Sequence, residues 1–203
     1  MKETINSIQK QSLVPDEVII IDDHSNIPIE EKSLSIGHGI RVLRNPENMG
    51  RGFSRNLGIQ ESNNEFIVFC DSSNSLSENF IEKASKCLTS TDSTAVFGKI
   101  VGNEIHNDLC SKWREINLFL EIYPGEKEPY EVYSLSTYSV MLRKSHVLNV
   151  GNFDPALRMY EDHDLGERIL KNGYKILFDP TLYCTSNRRD NLIQLATRVD
   201  RWY

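Results

Sequence analysis

Two short runs decide the fold: Glu17-Val18-Ile19-Ile20-Ile21-Asp22-Asp23 and Glu65-Phe66-Ile67-Val68-Phe69-Cys70-Asp71. Each is apolar at successive positions rather than alternating. That pattern marks a strand covered on both faces, as in a parallel sheet flanked by helices. Each run also ends in acid. The carboxyl ends of parallel strands share one edge of an open sheet, and ligands bind in the crevice outside that edge. Asp22, Asp23 and Asp71 are therefore expected at one crevice. An Asp after a strand also caps helices and starts turns, so neither acid site is decisive alone.

Outward from these runs, the chain alternates strand and helix. Residues 3–11 read as a helix with Ile5 and Ile8 one turn apart, closed by Pro15. Apolar runs at 40–43 and 95–100 read as strands, and 53–60 and 80–88 as helices between them. Residues 137–142 read as a strand. Residues 162–172 read as a helix with Leu165, Ile169 and Leu170 inward, stopped by Gly173, and 174–178 as the strand behind it. This is an α/β pattern. Residues 103–133 hold Trp113, Phe119, Tyr123 and Tyr130 around a Pro124-Gly125 turn, and read as a helix followed by a loop with core aromatics.

A chain of 203 residues suits a single domain over 1–203, long enough for a core without staples. With 23 basic against 29 acidic residues the net charge is −6, and nucleic acid is a poor partner because phosphate contacts need a basic face. At 39% hydrophobic residues and a mean hydropathy of −0.42, disorder is disfavoured. The longest apolar run, 66–70, is too short to span a bilayer. The opening MKETINSIQK has no apolar signal core, which makes the cytoplasm the expected compartment. Cys70, Cys87, Cys110 and Cys184 form no CxxC pair and read as buried, reduced thiols.

A third acidic cluster, Glu161-Asp162-His163-Asp164, opens the 162–172 helix. Capping accounts for it, since a first-turn carboxylate gains roughly 0.3–1 kcal/mol from the helix macrodipole. If it joins the other two, the three could hold a divalent cation through oxygen ligands and leave one carboxylate as a base. The segment 45–59, NPENMGRGFSRNLGI, adds a glycine-bearing turn into a helix with Arg51 and Arg55 near its start. Backbone amides and guanidinium groups there suit a phosphate. Neither GxGxxG nor the P-loop Gly-Lys-Ser/Thr is present, which disfavours nicotinamide dehydrogenases and P-loop nucleotidases.

Four segments, in order, resemble glycosyltransferase family 2: SIQKQSLVPDEVIIIDDHS, NMGRGFSRNLGI, EFIVFCDSSN and GNFDPALRMYEDHDLGERILKNGYKI. The resemblance spans residues 3 to about 180. It implies the GT-A fold, a Rossmann-like and mostly parallel sheet flanked by helices, and inverting transfer from a nucleotide sugar, with UDP favoured. It implies that Asp23, beside Asp22, contacts the base and that Arg51 and Arg55 lie near the diphosphate. Asp71 would open a metal-binding DxD-like motif for Mn or Mg, and Asp162 would be the general base. Glu161 and Asp164 would orient the acceptor or cap the helix. The implied acceptor is a glycan, a lipid-linked sugar or a protein, with peripheral membrane contact compatible with the second; Trp113 and Tyr138 are candidates to touch it.

The chain departs from the family pattern in three places. Ser73 stands where the principal metal ligand is expected, so the metal site should be weak. Met1 falls where the first helix begins, which leads us to expect an N-terminally truncated GT-A sheet without its first strand and with weakened nucleotide binding. A histidine that often follows the last strand is missing around Tyr183-Cys184-Thr185. A catalytically impaired GT-A-like module that binds a nucleotide sugar or a partner protein is the alternative, and nucleotidyl transfer a third.

Overall fold

The computed structural model describes residues 1–31, 39–103, 105, 108–118 and 127–200, with only the backbone at 118 and 198–200. Eight strands and seven helices are described, in the order α1 (Lys2–Gln9), β1 (Val18–Asp22), β2 (Ile40–Arg44), α2 (Arg51–Glu61), β3 (Phe66–Cys70), β4 (Asn74–Leu76), α3 (Phe80–Thr91), β5 (Ala95–Gly102), α4 (Leu109–Leu118), β6 (Tyr130–Glu131), β7 (Ser139–Arg143), α5 (Lys144–Asn149), α6 (Glu161–Lys171), β8 (Ile176–Ser186) and α7 (Leu192–Asp200). The expected α/β class and the helix-flanked sheet are both found. The expected Phe119, Tyr123 and the Pro124-Gly125 turn lie outside the described residues.

The pairing is mixed where a mostly parallel sheet was expected. One sheet runs β3-β7-β5-β8-β4 with β6 added to β8, and β1-β2 form a separate pair. β1·β2 and β5·β8 are parallel. β7 runs antiparallel between β3 and β5, and β4 and β6 are antiparallel to β8. β7 leaves the sheet into α5, and the long loop after α5 returns the chain to α6.

The central strands are buried on both faces, and their period-two alternation builds two cores. Ala95, Phe97, Val140, Leu142, Ile176 and Phe178 face a cluster with Ile59 of α2 and Leu165 and Ile169 of α6. The residues between them, Val96, Met141 and Leu177, face Phe80, Ile81, Ala84 and Leu88 of α3. Gly98 sits where the β5·β8 register shifts, and a Cβ there would lie 2.1 Å from the Leu182 carbonyl oxygen. Only glycine allows that approach.

β1 and β3 differ from the reading of strands covered on both faces. Their apolar residues are only half-buried, because among the described strands each pairs along one edge only. At the far end of the sheet, Gly173 closes α6 in a left-handed conformation (φ 80°) and the Tyr174 N–H bonds back to the Ile169 carbonyl.

Candidate active site

The carboxyl ends of β1 and β3, the start of α2 and the start of α6 meet at one crevice. At the end of β1 the two acids divide their roles. Asp22 is buried at 1% exposure. Its carboxylate accepts the Ser25 and Ile29 N–H groups and pairs with Arg44. Burial opposes its ionisation, but the Ser25 and Ile29 bonds and the Arg44 guanidinium outweigh it and hold the pKa near 2. This carboxylate fastens the loop after β1 to β2 and is turned from the crevice.

Asp23 accepts the Met49 N–H at 2.8 Å, the Gly50 N–H at 2.9 Å and the Asn45 side-chain amide at 2.8 Å. Burial raises its pKa, but these donors lower it further and the net shift is downward. Gly50 has φ 90°, and that left-handed turn aims consecutive amides at Asp23. Asp23 thereby ties β1 to the entry of α2, which carries Arg51 and Arg55 into the crevice.

Asp71 directly follows β3 and is exposed. Partial desolvation raises its pKa; Arg55 and Arg51 lower it, Asp162 and Glu161 raise it, and the net shift is upward. These five groups therefore share one electrostatic neighbourhood. Arg55 pairs with Glu161 in a nearly dry setting, their side chains 13% and 2% exposed, and its guanidinium lies 5.5 Å from the centre of the Phe153 ring. Asp162 is half-buried. Its Oδ2 accepts the Thr137 hydroxyl at 3.2 Å and its Oδ1 the His163 N–H at 3.0 Å. Tyr160, with φ 62°, precedes this helix in a conformation costly for a bulky residue.

Asp23, Asp71, Glu161, Asp162, Arg51 and Arg55 are thus brought together. Asp22 is committed to its loop. Asp164 is turned away to Arg168, which also donates to the Val150 carbonyl. Glu161 neither caps the helix nor reaches solvent, since Arg55 takes it up. Tyr138, expected near an acceptor, is a core residue whose hydroxyl donates to the Gly98 carbonyl and whose ring packs edge-on against Phe97. Trp113 lies on α4, 39% exposed. Thr137, Phe153 and Asn45, which hold Asp162, Arg55 and Asp23, fall in stretches that the sequence marks as a strand or a motif, but nothing in the sequence gives these three side chains a role at the site.

A hard divalent cation asks for several oxygen ligands, carboxylates among them. After β3 the donors are one carboxylate, Asp71, and the Ser72 and Ser73 hydroxyls, while the Asn74 amide is buried and donates to the Tyr138 carbonyl. Among the described residues no three His, Cys, Asp or Glu side chains are grouped to hold a metal ion. The residues do not fit a tightly held cation, and the cationic groups in the crevice are Arg51 and Arg55. Cys87, Cys110 and Cys184 are buried and Cys70 half-buried, all unpaired, with burial pushing Cys87 to about 11 and Cys184 to about 12. Among the described residues no helix is long and apolar enough to cross a membrane.

The chain is similar to solved structures with this fold. A crystal structure of GalNAc-T7 with UDP, GalNAc and Mn2+ superposes with a TM-score of 0.73 at 19% identity, over 93% of this chain and 40% of that one. A crystal structure of S. aureus TarS 1-349 in complex with UDP gives 0.64 at 20% identity, over 90% of this chain and 55% of that one. Among curated proteins, the uncharacterized glycosyltransferase YwdF of Bacillus subtilis (strain 168) is 28% identical over 93% of this chain and 70% of its own length. The pre-mycofactocin glycosyltransferase of Mycobacterium tuberculosis (strain ATCC 25618 / H37Rv) is 25% identical over 86% of this chain, which spans 38% of that protein. The family model described as glycosyl transferase family 2 matches residues 1–151, and the chain, a GT-A fold by its structure, belongs to that family.

Proposed function

We propose that residues 1–203 act as one glycosyltransferase domain that moves a sugar from a nucleoside-diphosphate sugar, UDP favoured, to an acceptor hydroxyl with inversion. The observation that carries this reading is Asp162, a half-buried carboxylate oriented by Thr137 and the His163 amide beside Asp71, Arg51 and Arg55. The acceptor oxygen attacks the anomeric carbon from the face opposite the diphosphate and its proton passes to the Asp162 carboxylate. The bond from the anomeric carbon to the diphosphate oxygen breaks, and its electron pair leaves with the nucleoside diphosphate. Arg51 and Arg55 stabilise the charge that develops there. The nucleoside lies over the end of β1 beside Asp23. A UDP-bound neighbour and the neighbour solved with UDP and GalNAc support this donor class.

Donor turnover over a panel of UDP-, GDP- and dTDP-sugars tests the reading. Asp162→Asn should abolish transfer, by at least about 100-fold for a lost general base, while leaving donor binding measurable by thermal shift. Full turnover in that variant would refute the role of Asp162. A second reading, a module that binds a nucleotide sugar without turning it over, is favoured by the single carboxylate after β3. Binding without turnover in the unaltered chain would select it.

A further inference from the structure

Among the described residues, four other than glycine have positive φ: His24, Asp92, Asn152 and Tyr160. Asn, Asp and His are enriched in that left-handed region, so three of these positions hold residues suited to it. A tyrosine there is an outlier. Backbone strain of this kind persists only where the surrounding structure imposes it, and it concentrates at ligand clamps and active sites.

The loop before Tyr160 imposes the turn. The Phe153 N–H donates to the Asn56 side-chain oxygen at 3.0 Å, and its carbonyl accepts the Asn56 side-chain amide at 2.8 Å. A Cβ on Gly52 would stand 2.8 Å from the Asp154 carbonyl oxygen, so the loop lies directly on the first turn of α2. Arg158 donates to the Asn48 carbonyl and side-chain oxygens, both at 3.3 Å, and Glu161 pairs with Arg55. The chain is thus fastened to α2 and its entry on both sides of Tyr160. These anchors account for the backbone but not for the side chain, because Asn or Gly would make the same turn at less cost. The Tyr160 side chain does not cap α6, and at 63% exposed it is not core. Neither capping nor packing selects a tyrosine here.

Its place in the crevice does. Among the described residues the exposed aromatics are Trp113, Tyr133, Tyr160 and Tyr183, and Tyr160 is the one joined directly to Glu161 and Asp162. Tyr133, by contrast, follows Val132, whose N–H bonds to the Ile176 carbonyl at the opposite edge of the sheet from Asp71. In the proposed reaction Asp162 takes the proton of an acceptor hydroxyl, so whatever carries that hydroxyl comes within hydrogen-bond reach of Asp162 and alongside residue 160. A sugar bears its hydroxyl directly on a ring, and the C–H bonds of that ring form an apolar face that packs flat on an aromatic one. Tyrosine offers such a face on only two side-chain torsions, which keeps the entropy lost on contact small. Asp71 and Asp162 share one electrostatic neighbourhood, and like charges there select against an anionic acceptor.

We infer, resting on the reading of Asp162 as the base, that Tyr160 is the acceptor platform and that the acceptor hydroxyl is carried on an uncharged sugar ring stacked against it. The strained turn at 160 presents the platform next to the base.

The test uses the full chain with a UDP-sugar donor, and methyl glycosides of glucose, galactose, N-acetylglucosamine and rhamnose as acceptor probes. For the best glycoside, Tyr160→Asn should raise KM at least about tenfold with kcat within about twofold, the mark of a contact made equally in ground and transition states. Tyr160→Phe keeps the ring and should hold KM within about twofold of the parent. Tyr160→Asn should also raise Tm by about 3 °C as the left-handed strain is relieved, whereas loss of a residue that only props the loop lowers it. An unchanged KM in Tyr160→Asn, a KM in Tyr160→Phe no better than in Tyr160→Asn, or a fall in Tm together with kcat would overturn the platform. Transfer to a serine- and threonine-containing peptide but to no glycoside would overturn the sugar ring. A chain that turns over no donor defeats the reaction assigned to Asp162, and there, as for hydrolysis without transfer, binding decides the platform. Saturation-transfer NMR with the methyl glycosides at millimolar concentration should then give signals with the parent and Tyr160→Phe and none with Tyr160→Asn. Equal signals in all three, or none with the parent, would overturn it.

Discussion

Replacing Arg55 with methionine isolates the buried ion pair that joins α2 to α6. Methionine keeps most of the stem against Phe153 but leaves the Glu161 carboxylate, 2% exposed, with no cation in a neighbourhood that also holds Asp71 and Asp162. Two unit charges 4 Å apart interact by about 4 kcal/mol at an effective dielectric constant of 20, and breaking a buried pair from one side costs about 3–5 kcal/mol. A loss of about 4 kcal/mol is expected for Arg55→Met. Glu161→Gln should cost less, about 2 kcal/mol, because Arg55 retains the nearby carboxylates and the Phe153 ring face. In the double variant no uncompensated charge remains, so its cost should fall about 2–3 kcal/mol short of the summed single costs, within the range seen for contacting pairs. Urea denaturation at constant m-value reads all four corners of this cycle. Additive costs, or an Arg55→Met loss below about 1 kcal/mol, would refute the claim that this pair is dry and mutually dependent.

Asp22 gives a pH signature. Its folded pKa lies below the ordinary 3.8, near 2, so its stabilisation is present above 3.8 and is lost as pH falls through 2. It corresponds to about 2 kcal/mol, or about 5 °C in Tm. The Tm gap to Asp22→Asn should therefore narrow toward pH 2; a constant gap between pH 2 and 7 would contradict it. Gly98→Ala sets a Cβ against the Leu182 carbonyl oxygen and should cost at least about 3 kcal/mol or prevent folding, at the upper end of overpacking costs; thermal melts beside Gly173→Ala, where nothing stands within 4 Å, separate this clash from left-handed strain of about 1 kcal/mol. Ser73→Asp supplies a second carboxylate after β3, so manganese should raise Tm in that variant and not in the parent. Identical manganese titrations would sink the explanation of the weak metal site by Ser73.

Much of the fold could be read where a residue's environment follows from its immediate neighbours. β3 begins and ends where its apolar run does, and α6 and α3 follow their three- and four-residue spacing. β4 escaped notice because Asn-Ser-Leu carries no pattern, and its strand character comes from pairing with β8, more than a hundred residues away. The mixed pairing was hidden for a related reason: β7 is as continuously apolar as a parallel strand, and burial on both faces makes direction invisible in composition. In the crevice, Asp71 and Asp162 announced themselves by ending a strand and opening a helix. What holds them did not, since Thr137 reaches Asp162 across 25 positions and Arg55 reaches Glu161 across 106. Asp22 and Asp23, adjacent in sequence, were read as a pair, but alternation along a strand sends neighbouring side chains to opposite sides.

Glu17 also makes the acid response of the molecule uneven. Burial raises its pKa, but the Asn63 N–H and the Asn64, Ser62 and Asn63 side chains lower it more, and the net shift is downward; the stability it supplies is present at neutral pH and is lost on acidification. Its partners lie at the start of β3, while it belongs to the start of β1. Protonation of Glu17 therefore loosens a boundary between two parts of the molecule. Only acid well below pH 4.5, the ordinary value for a glutamate, should loosen the line where the two sheets meet.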